Sequence, residues 1–173
     1  MESDLNAFLE ALKSPDAERR YAAWRGAGPM GAAAVAPIAD LCASPDRGVA
    51  KAAKGALENI AHHAARPGAG KEARAVSTEL LQVAQSRRPT ATRAEALHLL
   101  GFTADSRAVP GIAPLLTDTA VRDEARMALE RIPGNASLHA LKQAAKTAPA
   151  DFRPALEQSL HNRVLTPKTA GIR

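Results

Sequence analysis

The sequence predicts an all-α fold, an α-solenoid of about five helical hairpins stacked one on the next. Three observations lead there. Hydrophobic residues make up 46% of the 173-residue chain but aromatics only 3%, so the apolar mass is mostly Ala and Leu, which favour helices, while the residues that favour strands are scarce. An apolar stripe with helical spacing recurs along the chain. The copies fall roughly 30 residues apart, a period typical of helical-repeat architectures. Small Ala side chains let helices approach closely, so the core should consist of thin layers between neighbouring helices.

The clearest unit runs from Asp105 to Gly134, DSRAVPGIAPLLTDTAVRDEARMALERIPG. Its first half places Val109, Ile112, Leu115 and Leu116 at helical spacing. Thr117 and Asp118 offer a turn and an N-cap. Its second half places Val121, Ala125, Ala128, Leu129 and Ile132 on one helix face, and Pro133 with Gly134 ends it. The same stripe is met 72 residues earlier in Val49, Ala53, Ala56, Leu57 and Ile60, after the starter Ser44-Pro45-Asp46. That starter is itself preceded by Ser14-Pro15-Asp16, with Arg20, Ala23 and Ala27 in register. Arg93, Ala96, Leu99 and Leu100 give a third copy, and Arg153, Leu156 and Leu160 a weaker fifth.

The aligned positions Arg20, Ala50, Arg93, Arg122 and Arg153 are separated by 30, 43, 29 and 31 residues. The long interval holds ARPGAG at 65–70, which reads as a flexible insertion between the second and third hairpins. First helices are expected at 4–13, 31–43, 71–86, 106–116 and 136–147. Pro37, Pro110 and Pro114 fall in or near them and should bend or delay them. Residues 1–163 read as one repeat domain and 164–173 as a flexible C-terminal tail.

The unit at 105–134 resembles the HEAT repeat in its short form, as in the phycobilin-lyase-like HEAT family. The resemblance rests on Arg107, Ala108, Val109, Pro110, Leu115, Leu116, Asp118, Val121, Arg122, Ala125, Ala128, Leu129 and Ile132 taken together, and it extends over nearly the whole chain, 4–163. It implies a HEAT-like superhelix with the second helices on the concave surface and a polar ladder along that inner face. Asp16 with Arg20, and Asp118 with Arg122, stand four residues apart at the starts of second helices. Asp is expected to cap the helix and Arg to pair with acidic neighbours, including those of adjacent repeats.

On second helices, two rows of positions lie outside the core stripe and should face out or partly out. One holds Trp24, Lys54, Leu97, Arg126 and Glu157; the other holds Tyr21, Lys51, Ala94, Asp123 and Pro154. With Arg25 and the aligned arginines, they nominate Tyr21, Trp24, Arg25, Lys51, Lys54, Arg93, Leu97, Arg122 and Arg126 as partner-binding residues. Tyr21 and Trp24 are the only Tyr and Trp, three residues apart on one helix face, and suit an interface hot spot or a base-stacking platform. The alternative is structural, with Trp24 covering the core at the open end of the stack.

No signature of catalysis emerges. There is no phosphate-binding loop and no dinucleotide fingerprint. The one cysteine, Cys42, lies in the apolar run Ile38, Leu41, Cys42 and is expected in the core; it excludes an intramolecular disulfide and a cysteine-based zinc cluster. His62 and His63 are adjacent, about 100° apart on a helix rather than one turn apart, and suit a helix end better than a metal. Bilin lyases and DNA glycosylases use HEAT-like folds, but this chain is shorter than those glycosylases and carries a single Trp. No cofactor or metal is expected, and no enzyme activity.

No apolar run reaches membrane length or resembles a signal peptide, which predicts a cytoplasmic location. The net charge of +5 permits an acidic protein surface or nucleic acid. The function expected is therefore a binding scaffold for a protein partner. The alternative is a nucleic-acid binder using Arg19, Arg20, Arg25, Lys51, Lys54, Arg93, Arg122 and Arg126.

Overall fold

The computed structural model of the chain describes residues 2–165. Every element among them is helical: α1 (Glu2–Leu12), α2 (Ala17–Arg25), α3 (Val35–Leu41), α4 (Arg47–Ala64), α5 (Gly70–Gln85), α6 (Thr90–Thr103), α7 (Val109–Ile112), α8 (Arg122–Arg131), α9 (Asn135–Thr147) and α10 (Arg153–Leu165), with three short 3₁₀ segments. Consecutive pairs form five antiparallel hairpins. The second helices α2, α4, α6, α8 and α10 each pack on the next and make one layer; α3 lies against α5, and α7 against α9, in the other. The molecule is an α-solenoid. One hairpin cannot hide its own stripe, so a continuous core from Leu12 to Leu156 is shared between neighbours.

The two best stripes behave as their spacing predicts. Val49, Ala53, Ala56, Leu57 and Ile60 on α4 are all buried, as are Val121, Ala125, Ala128, Leu129 and Ile132 on and around α8. Asp16 caps α2 by accepting from the Glu18 amide at 2.9 Å, and Asp46 caps α4 by accepting from Gly48 at 2.7 Å and Val49 at 3.2 Å. Asp118 departs from this pattern. It accepts from Ala120 N in a turn over 118–121, and α8 begins only at Arg122 after Val121 at φ −141°. Its other carboxylate oxygen is held by Arg93 of the preceding hairpin at 2.6 Å, so this Asp serves the seam between hairpins rather than the helix start.

Proline sets the shape of two first helices. The second hairpin enters through 3₁₀ turns at Gly28–Met30 and Ala32–Ala34, leaving α3 only seven residues around Pro37. Pro110 and Pro114 restrict the fourth first helix to four α-helical residues followed by a 3₁₀ segment, Ala113–Thr117. Each proline lacks the N–H an α-helix needs and crowds the preceding turn. The 43-residue interval has a different cause from the one its composition suggested. α4 has 18 residues and α5 has 16, so most of the extra chain is helix. The connection over 65–69 is a short turn with Gly68 at φ +83°. It is clamped by Arg66, which donates to both Glu72 carboxylate oxygens at 2.8 Å and to His63 O at 2.6 Å.

Residues 164 and 165 continue α10 rather than beginning the expected tail, and the rest of that tail, 166–173, lies outside the described residues. No helix among the described residues is long and apolar enough to cross a membrane.

Candidate interaction surface

The aligned arginines are engaged inside the protein. Arg20 donates to Ser14 O at 2.6 Å and Pro15 O at 3.0 Å, Arg93 to Ala84 O at 2.8 Å, and Arg153 to Ala148 O at 3.0 Å. Each thereby ties the start of a second helix to the end of the first helix before it, satisfying carbonyls that the helix end leaves orphaned. Arg93 also reaches forward to Asp118, and Arg122 to Asp151 at 2.6 Å, with the Arg122 guanidinium 4.6 Å above the Phe152 ring. The guanidiniums hold both carboxyls below their usual range, chiefly through these hydrogen bonds. Arg126 is 16% exposed and donates to Ser159 Oγ at 2.6 Å and Glu130 Oε2 at 3.3 Å. At the far end Arg163 covers the end of α8, donating to Leu129 O, Glu130 O, Ile132 O and Gly134 O at 2.6–3.1 Å.

These bonds form a ladder running from hairpin to hairpin. They also leave Arg93, Arg122 and Arg126 without free heads to offer a partner. Leu97 requires a correction: it is fully buried in the core. The equivalent position on α4, Lys54, is exposed and pairs with Glu95 of α6, so the two places in the repeat are not equivalent in packing.

The first two hairpins present a different surface. Tyr21 is 53% exposed, and its ring meets Trp24 edge-on at 5.3 Å, with the Arg25 guanidinium 5.7 Å from the Tyr21 centroid. Trp24 itself is partly buried and packs across α4 over Gly55. A Cβ built on Gly55 would stand 2.9 Å from Trp24 Cε3, so the absence of a side chain is what lets the indole lie there. Trp24 thus covers core and borders the exposed face at once. Lys51 is exposed, and Lys54 pairs with Glu95 of α6 at 3.0 Å, which raises the lysine's pKa, first through that hydrogen bond and then through the charge. Cys42 is half-buried rather than fully enclosed. Burial, reinforced by Glu95 and Asp40 and opposed by Lys54, pushes its thiol up to about 12. A thiol held protonated is a poor nucleophile.

A second cluster escaped the sequence reading. Phe102, on the last turn of α6, is 45% exposed. His98 meets its ring edge-on at 5.2 Å, and His62 of α4 does so at 5.6 Å. The Arg131 guanidinium of α8 lies 5.1 Å from the ring centroid and 3.4 Å from His98 Nδ1. Phe102 and Arg131 occupy the same register on neighbouring second helices, shared with Asn59 and Asn162. That register was the available signal: Phe102 is the one large apolar residue in it, outside the core stripe.

Among the described residues no group of three or more His, Cys, Asp or Glu side chains is placed to hold a metal ion. His63 instead packs on Gly28 and lies 3.9 Å from Glu72, a helix-end setting. A cleft of about 230 Å³ between α5 and the start of α7 is lined by Arg74, Ser77, Thr78, Leu81, Asp105 and Arg107; there the Ser77 hydroxyl donates to Thr103 Oγ1, the Thr78 hydroxyl to Arg74 O, and Asp105 lies beside Arg107.

Stacked hairpins with one layer of second helices and an internal arginine ladder define a class, the helical-repeat proteins. Residues 77–161 match the family model described as HEAT repeats. That fold is typically a non-catalytic scaffold. No curated protein matches the chain. Similar solved structures include three crystal structures of engineered proteins. The first is 21% identical over 92% of this chain and 79% of its own length, with a TM-score of 0.43. The second is 20% identical over 92% of this chain and 47% of its own, and the third 18% identical over 92% and 80%, each with a TM-score of 0.45.

Proposed function

We propose that the chain is a non-catalytic scaffold that binds a protein partner on the exposed face of its second helices. The observation that carries this is the charge pattern. Arg20, Arg93, Arg122 and Arg126, which would make a continuous basic track, are engaged internally. What stays exposed is Tyr21 with Arg25, Lys51 and Lys54, interrupted by the exposed acids Asp123 and Glu157. A mixed surface around an aromatic pair suits a protein interface. A phosphate backbone needs an unbroken row of cations, which argues against nucleic acid.

The test is affinity capture from extract of the cell that makes the protein, with and without nuclease. A protein should be retained after nuclease treatment, and it should be lost from the Tyr21→Ala/Arg25→Glu/Lys51→Glu variant, whose changes are all at exposed positions. Recovery of nucleic acid alone, eluted by moderate salt, would replace this reading with the nucleic-acid one.

A further inference from the structure

We propose that Phe102, Arg131, His62 and His98 form a docking site for a short acidic peptide segment of the partner, one aromatic side chain packing on Phe102 and a neighbouring carboxylate pairing with Arg131. This deepens the scaffold reading and rests on it.

Three features of the cluster point to that chemistry. Phe102 is one of two large hydrophobic residues exposed among the described ones, the other being Tyr21. Its ring is not packed away; it is propped edge-on by two exposed imidazoles from α4 and α6. That leaves an aromatic face for offset or edge-on packing with a second ring, which adds to the area it buries.

Arg131 differs from the ladder arginines. Arg93, Arg122 and Arg126 each pair with a carboxylate, whereas the contacts of Arg131 are the Phe102 ring and a ring nitrogen of His98. A guanidinium without an acidic partner, held over an exposed ring, can still take a carboxylate by a two-pronged bond. Its position is set by Gly101. A Cβ there would stand 2.9 Å from Arg131 Cδ and 3.3 Å from Nη1, so the arginine lies flat across α6 only because that residue has no side chain.

Charge selects a peptide over a nucleic acid. The neighbouring turns of the same face carry Glu58 on α4, Glu95 on α6, which neutralises Lys54, and Glu130 on α8, which accepts from Arg126, Ser159 and Asn162. A single carboxylate beside an aromatic ring fits Arg131, whereas a chain of phosphates would run into those acids.

The probe is a fluorescein-labelled nonapeptide with a central phenylalanine flanked by glutamates, followed by anisotropy and by NMR of the protein's aromatic and arginine side-chain signals. Control arms replace the phenylalanine with serine, replace the glutamates with lysines, or use single-stranded oligouridylate. The acidic aromatic peptide should move the Phe102, His98 and Arg131 signals. Either peptide replacement should weaken binding about fivefold or more. Phe102→Ala and Arg131→Ala should do the same without changing the circular dichroism spectrum. Gly101→Ala keeps every binding group but displaces Arg131, and should weaken binding as well.

Equal binding of the lysine peptide, no movement of the Phe102 signals, or tighter binding of the oligonucleotide at these residues would each overturn the proposal. Tyr21→Ala separates the two readings. If the protein partner is captured and lost with Tyr21→Ala but unaffected by Phe102→Ala and Arg131→Ala, the scaffold reading stands and this site fails.

Discussion

The seam between the first two hairpins can be tested through one substitution, Gly55→Ala. Two effects oppose each other. In a helix interior, alanine is favoured over glycine by about 1 kcal/mol, because the backbone loses less freedom. Against this, the new methyl would sit 2.9 Å from Trp24 Cε3 and 3.1 Å from Cδ2, well inside the roughly 3.5–4.0 Å of good carbon–carbon contact. The obstacle is a rigid fused ring, braced by Tyr21 at 5.3 Å, so it cannot yield as a flexible chain would. Overpacking of this kind costs about 1–3 kcal/mol. The net expectation is a loss of roughly 0–2 kcal/mol.

The decisive comparison is with Trp24→Ala as background. There the clash is gone and Gly55→Ala should stabilise by about 1 kcal/mol, giving a coupling of about 1–3 kcal/mol between the two sites. Urea unfolding followed by far-ultraviolet circular dichroism measures all four proteins. Emission from Trp24, the sole tryptophan, reports the displacement of the ring in Gly55→Ala directly. If Gly55→Ala stabilises equally in both backgrounds and leaves the emission unchanged, the indole does not lie on Gly55 and the description of this seam is wrong.

Further outcomes follow from the ladder and the thiol. Arg163→Ala should cost about 2–3 kcal/mol, since it removes a charged donor from four carbonyls around the end of α8; an unchanged urea midpoint would show that water replaces it at no cost. Asp118 and Asp151 are held below their usual pKa by Arg93 and Arg122. Their contribution is therefore complete above the unfolded value of about 3.9 and is lost as pH falls through the lowered folded values. The stability gap between the parent and the Asp118→Asn/Asp151→Asn variant, measured by urea titration, should accordingly be present at neutral pH and close in strong acid. With its thiol pushed up to about 12, Cys42 should react slowly with a disulfide reagent at mildly alkaline pH and fast once urea unfolds the chain. Equal rates in the two states would contradict its placement.

Helix pairing was legible in the sequence because it follows from local periodicity. The stripes of α4 and α8, the caps Asp16 and Asp46, and the disruption of α3 and α7 by Pro37, Pro110 and Pro114 all involve residues within a few positions of one another. What could not be read depends on how one hairpin settles on the next. Leu97 and Lys54 hold equivalent repeat positions, yet one is core and the other pairs with Glu95 at the surface, because neighbouring helices sit differently around α6 and α4. The arginines were nominated for binding from their charge. The carboxylate and hydroxyl partners of Arg93, Arg122 and Arg126, 25 to 33 residues away, are set by stacking alone. The Phe102 cluster draws its four residues from three helices, two of them from α6, so no short stretch of chain announces the whole of it.

The ion pairs that cross the seams from the second hairpin to the fifth make those hairpins non-interchangeable. Cutting out α5 and α6 would strand Lys54 without Glu95 and Asp118 without Arg93, and would put a new pair of surfaces in contact with none of these matched groups. From the second hairpin on, each unit is keyed to its own successor. Lengthening or shortening the array by one module would therefore require re-fitting the joint on both sides, and the order of the five units is as much a part of the fold as their shape.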